Sequence, residues 1–263
     1  MAESNGQIKI NPPGESHPAV VPLDLLYEGK AKRVYLTADP EVLVCQYKDD
    51  ATAFDAQKKG TIAHKGEVNC TIASRILAHL ETAGIPTHFL AQLSPTEMAV
   101  RAVQIVPLEV VVRNRAAGSL CKRLGIERGL LLDPVLTEFY YKDDALRDPL
   151  LTLEHIQLLK LASPTVVDRL RELALHIDLL LIKFFAQCDL ELVDFKLEFG
   201  VTSDQQLLLA DEISPDTCRL WDRRGAQPGD PPRVLDKDLF RFDLGDPVAG
   251  YQEVLQRVLA VTD

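Results

Sequence analysis

Apolar and polar positions alternate strictly from Val193 to Phe199. Val193, Phe195, Leu197 and Phe199 share one face of a predicted strand, and Asp194, Lys196 and Glu198 share the other. Gly200–Gln206 is polar and turn-like, and Leu207–Leu209 is a short apolar return ending in Asp211-Glu212. Further strands are predicted on either side of Gly29 within Leu25–Tyr35, at Val42–Tyr47, through Phe89–Leu93 and Met98–Val103, and at Val110–Val112. Glu41–Asp55 reads as the far side of a small antiparallel sheet.

Helical spacing takes over elsewhere. Val68, Ile72, Ile76 and Leu80 recur every four residues in a helix predicted over Glu67–Ala83, with Gly84 closing its end. Thr152 caps a short helix. Ser163-Pro164 opens a long one to Gln187, whose stripe of Leu170, Leu173, Ala174, Ile177, Leu180, Leu181 and Phe184 marks core scaffold. Asp246-Pro247 starts a last amphipathic helix carrying Val248, Tyr251, Val254, Leu255 and Val258. Residues 1–22 read as a flexible tail and Gly225–Pro232 as a loop. There is no internal repeat.

Folding Val193–Asp216 into a hairpin centred between Asp204 and Gln205 sets Glu198 opposite Asp211. Opposed Cβ atoms on such a pair lie roughly 4.5–5.5 Å apart, so the two carboxylates repel unless something positive sits between them. Few oxygen ligands, completed by water and phosphate, are what Mg²⁺ takes. A Mg²⁺–nucleotide site is one reading and a solvated charged face on an edge hairpin is the other. Centring the turn one residue earlier sets Asp211 opposite Lys196 instead. Ser214-Pro215-Asp216 then adds a hydroxyl, a rigid turn and a third acid, and Arg219 a guanidinium suited to phosphate. Arg219–Asp222 also reads as a surface turn with Trp221 tucked inward.

Two other stretches suit anions. Lys30 and Lys32 fall on one face beside Gly29, where a glycine hairpin can lay N–H groups and lysines over phosphates; a lysine-rich edge strand looks the same. The Val110–Val112 run delivers Arg113, Arg115, Gly118 and Ser119 into a turn that opens a short helix over Leu120–Leu124. A solvated arginine turn is the alternative. No GxSxG elbow surrounds Ser119, which makes it a poor candidate nucleophile.

Composition narrows the classes. Hydrophobic content of 46% and charged content of 26% are globular, and 263 residues suffice for one large domain or two associated lobes. A net charge of −10 argues against a general nucleic-acid binder. The five cysteines show no CxxC and no Cys/His ligand spacing, so neither zinc nor a disulfide framework is expected. No apolar run approaches the ~18 residues of a membrane helix, the N-terminal stretch has no secretory apolar region, and a cytoplasmic location is expected.

Taken in order, LYEGKAKRVY, VVRNRAAGSL, VDFKLEFG and DEISPDTCRLWD closely resemble the SAICAR synthetase family, from Leu25 to near Val261. The resemblance implies an α+β, two-lobed ATP-grasp-like fold, with residues 23–103 as a nucleotide-binding lobe and 104–263 completing the site. It implies an enzyme joining L-aspartate to carboxyaminoimidazole ribonucleotide (CAIR), with ATP cleaved to ADP and phosphate. Lys30 and Lys32 would lie over the ATP phosphates, with Glu109 near the nucleotide. Arg113, Ser119 and Arg219 would hold the ribonucleotide phosphate, and Asp216 would face that substrate. Glu198 and Asp211 would carry Mg²⁺, and Lys196 would neutralise charge at the reacting carboxylate. The acidic stretch Asp49–Asp55 looks like the family's substrate-side loop. A homo-oligomer such as a dimer is expected, with neither nucleic acid nor membrane as a partner. A small-molecule kinase of related fold and a non-catalytic nucleotide-binding module are the competing readings.

Overall fold

The computed structural model describes residues 20–53, 57–225 and 231–263. Most of the expected tail, Phe54 and Asp55 of the acidic stretch, and residues 226–230 of the Gly/Pro-rich loop lie outside the described residues.

The first sheet takes strands β1 (Leu25–Glu28), β2 (Lys32–Leu36), β3 (Val42–Tyr47), β6 (Phe89–Ser94) and β7 (Glu97–Arg101) in the order β1-β2-β3-β7-β6. The β1–β2 hairpin turns at Gly29, as its flanking pattern predicts, with Glu28 opposite Arg33. The expectation that one sheet continues to Asp55 needs correction. Strand β4 (Asp50–Ala53) turns away and pairs only with β5 (Lys58–Thr61), forming a separate two-stranded hairpin.

Helix α1 (Lys65–Thr82) packs on the first sheet through Val68, Ile72, Ile76 and Leu80, all essentially solvent-free. It ends at Gly84, whose φ of 85° is the left-handed geometry that closes a helix.

The second sheet holds β8 (Gln104–Arg115), β9 (Leu131–Tyr141), β10 (Leu150–Leu151), β11 (Leu190–Val201), β12 (Leu207–Ala210), β13 (Cys218–Asp222) and β14 (Arg233–Val234). Its central order is β10-β9-β8-β11-β13-β14, with β12 also on β11. Helix α2 (Ser119–Leu124) follows β8, and α3 (Leu153–Leu158) carries the predicted Thr152 cap as a full capping box. Helix α4 (Pro164–Gln187) starts at Ser163, whose hydroxyl accepts from Val166 N–H, and backs β8 and β11 with its apolar stripe. Short α5 (Asp238–Phe242) leads to α6 (Pro247–Thr262), which returns to pack against α1. No helix among the described residues is long and apolar enough to cross a membrane.

Strands β12 and β13 lie end to end along the same edge of β11, opposite β8. The seven residues between them, 211–217, leave the sheet at its middle. This layout decides two open readings. The β11–β12 register is Glu198 to Ala210, so the turn centres on Asp204 and neither predicted register holds. The turn 202–206 holds five residues, an odd count, and Asp211, with a φ of 61°, leaves the ladder just beyond Ala210. Arg219–Asp222 is no surface turn: it belongs to β13, and Trp221 sits buried in a small second cluster with Ala117, Val193, Val234 and Leu239.

The approach of α1 to β3 is tight. A Cβ on Gly66 would sit 2.8 Å from the Tyr47 carbonyl oxygen and 3.3 Å from an Asp49 carboxylate oxygen. Gly66→Ala is expected to destabilise the fold by about 1–3 kcal/mol, the usual range for overpacking. Urea unfolding of the two proteins, with the denaturant slope unchanged, checks it.

Candidate functional site

The alternation of β11 reappears on its neighbours, because paired strands share faces. Asp194, Lys196 and Glu198 stand opposite Arg113, Val111 and Glu109 of β8, and Asp194 also stands opposite Arg219 of β13. The other face, with Val110, Val112, Phe195 and Leu197, enters the core. One face of three adjacent strands therefore carries nearly all the predicted chemistry.

Its centre is the Lys196 ammonium. It donates to Glu198 at 2.6 Å and Glu109 at 2.9 Å, and lies 3.6 Å from Asp211. Burial alone would lower its pKa, but Glu198, Asp211 and Glu109 outweigh that and hold it well above the usual lysine range. Lys142 donates to Glu198 at 2.8 Å. Lys32 contacts the Asp211 carboxylate directly. Despite burial, Lys32 and then Lys196 hold Asp211 well below the usual carboxylate range. The acid directly across from Glu198 is thus Glu109, and Asp211 reaches the same cation from outside the ladder.

A second group surrounds Asp194. It accepts from Arg113 at 2.6 Å and from Arg219 at 2.8 Å. Arg113 also donates to Glu138 at 2.8 Å and to Ser119 at 3.3 Å. Arg219 is gripped from the far side by Asp238 at 2.9 Å. Gly118 has a φ of 56°, and a Cβ there would collide with the Arg219 guanidinium, so its lack of a side chain lets the arginine pass.

The third group is built on Asp216. Lys65 of α1 donates to it at 2.8 Å, Tyr251 of α6 at 2.6 Å, and Lys237 lies 3.4 Å away. Burial opposes ionisation here, but Lys237 and Lys65 outweigh it and keep the carboxyl far below its ordinary range.

These groups line a cavity of about 320 Å³. Lys30, Arg113, Lys196, Arg219, Lys237 and Arg241 supply its cations; Glu109, Asp148, Asp194 and Asp216 supply its acids. Of the predicted residues, Lys30, Glu109, Arg113, Lys196, Asp216 and Arg219 line it directly. Glu198 and Asp211 join through Lys196, Lys32 through Asp211, and Ser119 through Arg113. Lys30 and Lys32 reach different acids: Lys30 sits in the turn and contacts Asp144 at 2.6 Å, while Lys32 begins β2.

Sequence reasoning missed Lys65, Asp194, Lys237, Asp238 and Arg241 as site residues. Asp194 was legible, since it shares the polar face of β11 with Lys196 and Glu198. The Asp236-Lys237-Asp238 run carried a charge signal. Lys65 had none, because its partner lies 151 residues away.

Two antiparallel sheets backed by helices, with a cation-lined cleft over buried acids, define an α+β protein of the ATP-grasp-like class. The sequence profile of the family described as SAICAR synthetase matches residues 25–258. The phosphoribosylaminoimidazole-succinocarboxamide synthase of Synechococcus sp. (strain JA-2-3B'a(2-13)) is 70% identical over 238 residues, covering 90% of this chain and 95% of that protein. The crystal structure of the synthase of the same name from Ehrlichia chaffeensis aligns with a TM-score of 0.86 at 39% identity, over 91% of this chain and 100% of that one. A SAICAR synthetase (Type-2) in complex with ADP aligns with a TM-score of 0.84 at 41% identity, over 90% and 98%. The chain belongs to the SAICAR synthetase family.

Asp216 gives a pH signature. Its folded pKa lies below the unfolded value of about 3.9, so its stabilisation is present above that pH and is lost as pH falls through the folded value. Asp216→Asn leaves Lys65 buried without its anion, an expected loss of about 3–5 kcal/mol at neutral pH. A plot of Tm against pH should show the variant lower and its acid limb flatter than wild type.

Proposed function

We propose that this chain is an ATP-dependent ligase that joins CAIR and L-aspartate into SAICAR, with release of ADP and phosphate, in de novo purine biosynthesis. The observation that carries this reading is the cleft: six cationic side chains converge in a chain of net charge −10. The three substrates are all anions, and without such screening their repulsion opposes assembly.

A carboxylate is a poor electrophile. The CAIR carboxylate oxygen attacks the γ-phosphorus of ATP, expelling ADP and leaving an acyl phosphate. The aspartate amine then attacks the acyl carbon, phosphate departs, and the nitrogen loses a proton. No protein nucleophile is required, so catalysis is positioning plus electrostatics.

In this reading Arg113 and Arg219 hold the ribonucleotide phosphate, with Ser119 aligned by Arg113, and Asp216 faces the same substrate. Lys30 and Lys32 meet the ATP phosphates, Glu109 lies beside the nucleotide, and Lys196 neutralises charge at the reacting carboxylate. Glu198 and Asp211 are the Mg²⁺ ligands. The donor set fits: both carboxylates already face one shared cation, the Lys196 ammonium. Among the described residues no third His, Cys, Asp or Glu completes a closed metal cage. Mg²⁺ suits that arrangement, since it commonly takes one or two carboxylates and fills its shell with water and phosphate. When bound, it supplies charge neutralisation on the transferring phosphoryl group.

The division of strands between the two sheets supports lobes at 23–103 and 104–263, although α6 crosses back to α1. The acidic surface charge favours small-molecule over nucleic-acid partners. The five cysteines are free, which suits the reducing cytoplasm. A homo-oligomer belongs to the same reading.

The test is ADP release coupled to product analysis. Sustained turnover should need CAIR and L-aspartate together and yield an amide plus free phosphate; a stable phosphorylated end product that accumulates over many turnovers without aspartate would overturn the ligase reading. Glu198→Gln and Asp211→Asn should each lower kcat by roughly 10²-fold or more, the scale of losing one main electrostatic stabiliser. Both variants should remain folded by circular dichroism, and wild-type rates at saturating Mg²⁺ would refute the ligand assignment.

Acceptor selectivity follows from the charge of the cleft. A site built around the second carboxylate of aspartate rejects an analogue lacking it by as much as ~10⁴-fold. Steady-state kcat/KM for L-aspartate should far exceed that for L-asparagine, and comparable values would contradict the assignment.

A further inference from the structure

Asp211 adopts a left-handed backbone, with φ at 61°. Non-glycine residues seldom do so, and aspartate is among those that tolerate it. Where its carboxylate points therefore depends on what holds this one residue in place.

The first sheet holds it from two sides. Lys32 of β2 contacts the carboxylate. His88, just ahead of β6, places its ring Nε2 3.0 Å from the Asp211 carbonyl oxygen. A carbonyl only accepts, so Nε2 carries the proton and donates. The backbone around His88 is itself anchored: its N–H donates to the Leu209 carbonyl at 2.8 Å, and Leu209 N–H donates to Pro86 at 2.9 Å. Its own carbonyl accepts from Arg101 N–H at 2.7 Å. His88 as a whole is 6% exposed, so little water competes for the bond. A side chain so held is a fixed post driven from the first sheet into the turn that follows β12.

We propose that His88 is a positioning residue: its Nε2–H fixes the left-handed turn at Asp211, and so aims the Asp211 carboxylate at Lys196 and at the Mg²⁺ of a bound nucleotide. The inference rests on the proposed function for the metal and nucleotide. Its geometric part stands on the hydrogen bond alone. His88 touches no substrate in this scheme; it acts through Asp211.

A purely structural histidine would lower stability and weaken every ligand alike. A positioning histidine changes the part of nucleotide affinity that depends on Mg²⁺. ADP binding is measured by calorimetry with and without Mg²⁺, for wild type and for His88→Ala, His88→Gln and His88→Asn. Glutamine places an amide N–H about where the imidazole Nε2–H stands, whereas asparagine is one bond too short to reach the carbonyl.

The expected result is a loss of about tenfold or more in Mg²⁺-dependent ADP affinity for the alanine and asparagine variants, the scale of one well-placed hydrogen bond. Affinity without Mg²⁺ should move far less, and glutamine should restore most of the loss. If the alanine variant does not fold, the glutamine–asparagine comparison reads the same bond. In turnover, kcat should fall in the alanine variant while KM for the ribonucleotide holds.

Wild-type Mg²⁺ dependence in His88→Ala, equal losses with and without Mg²⁺, or a glutamine variant as poor as asparagine would each overturn the proposal. Wild-type ADP binding indifferent to Mg²⁺ would overturn the metal assignment and this role together. A wild type that binds Mg²⁺–ADP but forms no amide would overturn the proposed reaction alone, with the role of His88 still decided by calorimetry.

Discussion

A carboxylate that leaves water must take its counter-charge with it, and Asp216 does so at the point where the molecule is joined. It sits in the segment that leaves the second sheet between β12 and β13, almost wholly buried. Lys65 reaches it from the first long helix, Tyr251 from the last, and Lys237 from the turn ahead of α5. Those three contacts bind elements remote in sequence to one atom group on the cleft wall. Removing one partner of a buried pair costs far more than the pair contributes over an apolar substitute. The joint is therefore specific and intolerant of change.

The cleft follows from a simpler rule. A strand shows alternate residues to opposite faces, and antiparallel partners agree on which face is which. Once Phe195 and Leu197 enter the core beneath α4, Asp194, Lys196 and Glu198 must face outward, with Glu109 and Arg113 of β8 beside them. Two acids, Glu198 and Glu109, then stand directly opposite one another, an arrangement that is unfavourable unless a cation intervenes. Lys196 is that cation. The same face that packing forces outward is thus stabilised only when its charges alternate in sign.

Much of this was legible in the chain. The alternation of 193–199 marked the central strand and its polar face, and the caps Thr152, Ser163 and Asp246 marked three helix starts to the residue. The four motifs pointed to the fold and to most of the cleft residues. What escaped was non-local. The hairpin register failed because the turn 202–206 holds five residues, whereas both predicted registers assumed an even count. Arg219–Asp222 read equally well as a turn because its strand partner, β11, is fixed only by tertiary pairing. Lys65 looked like any lysine at a helix start until the fold carried Asp216 to it.

The cations of the cleft have acids of the chain itself as partners. Arg113 and Arg219 share Asp194, Lys196 bridges two acids, and Lys32 holds Asp211. A polyanion entering this space works as an incoming ion does on an exchange resin, replacing an internal counter-ion rather than meeting bare positive charge. With its charges paired in this way, the cleft is neither self-repelling nor an indiscriminate trap for phosphate. Departure is helped by the same arrangement, because each cation has an acid waiting at hydrogen-bond distance to take the place of the product.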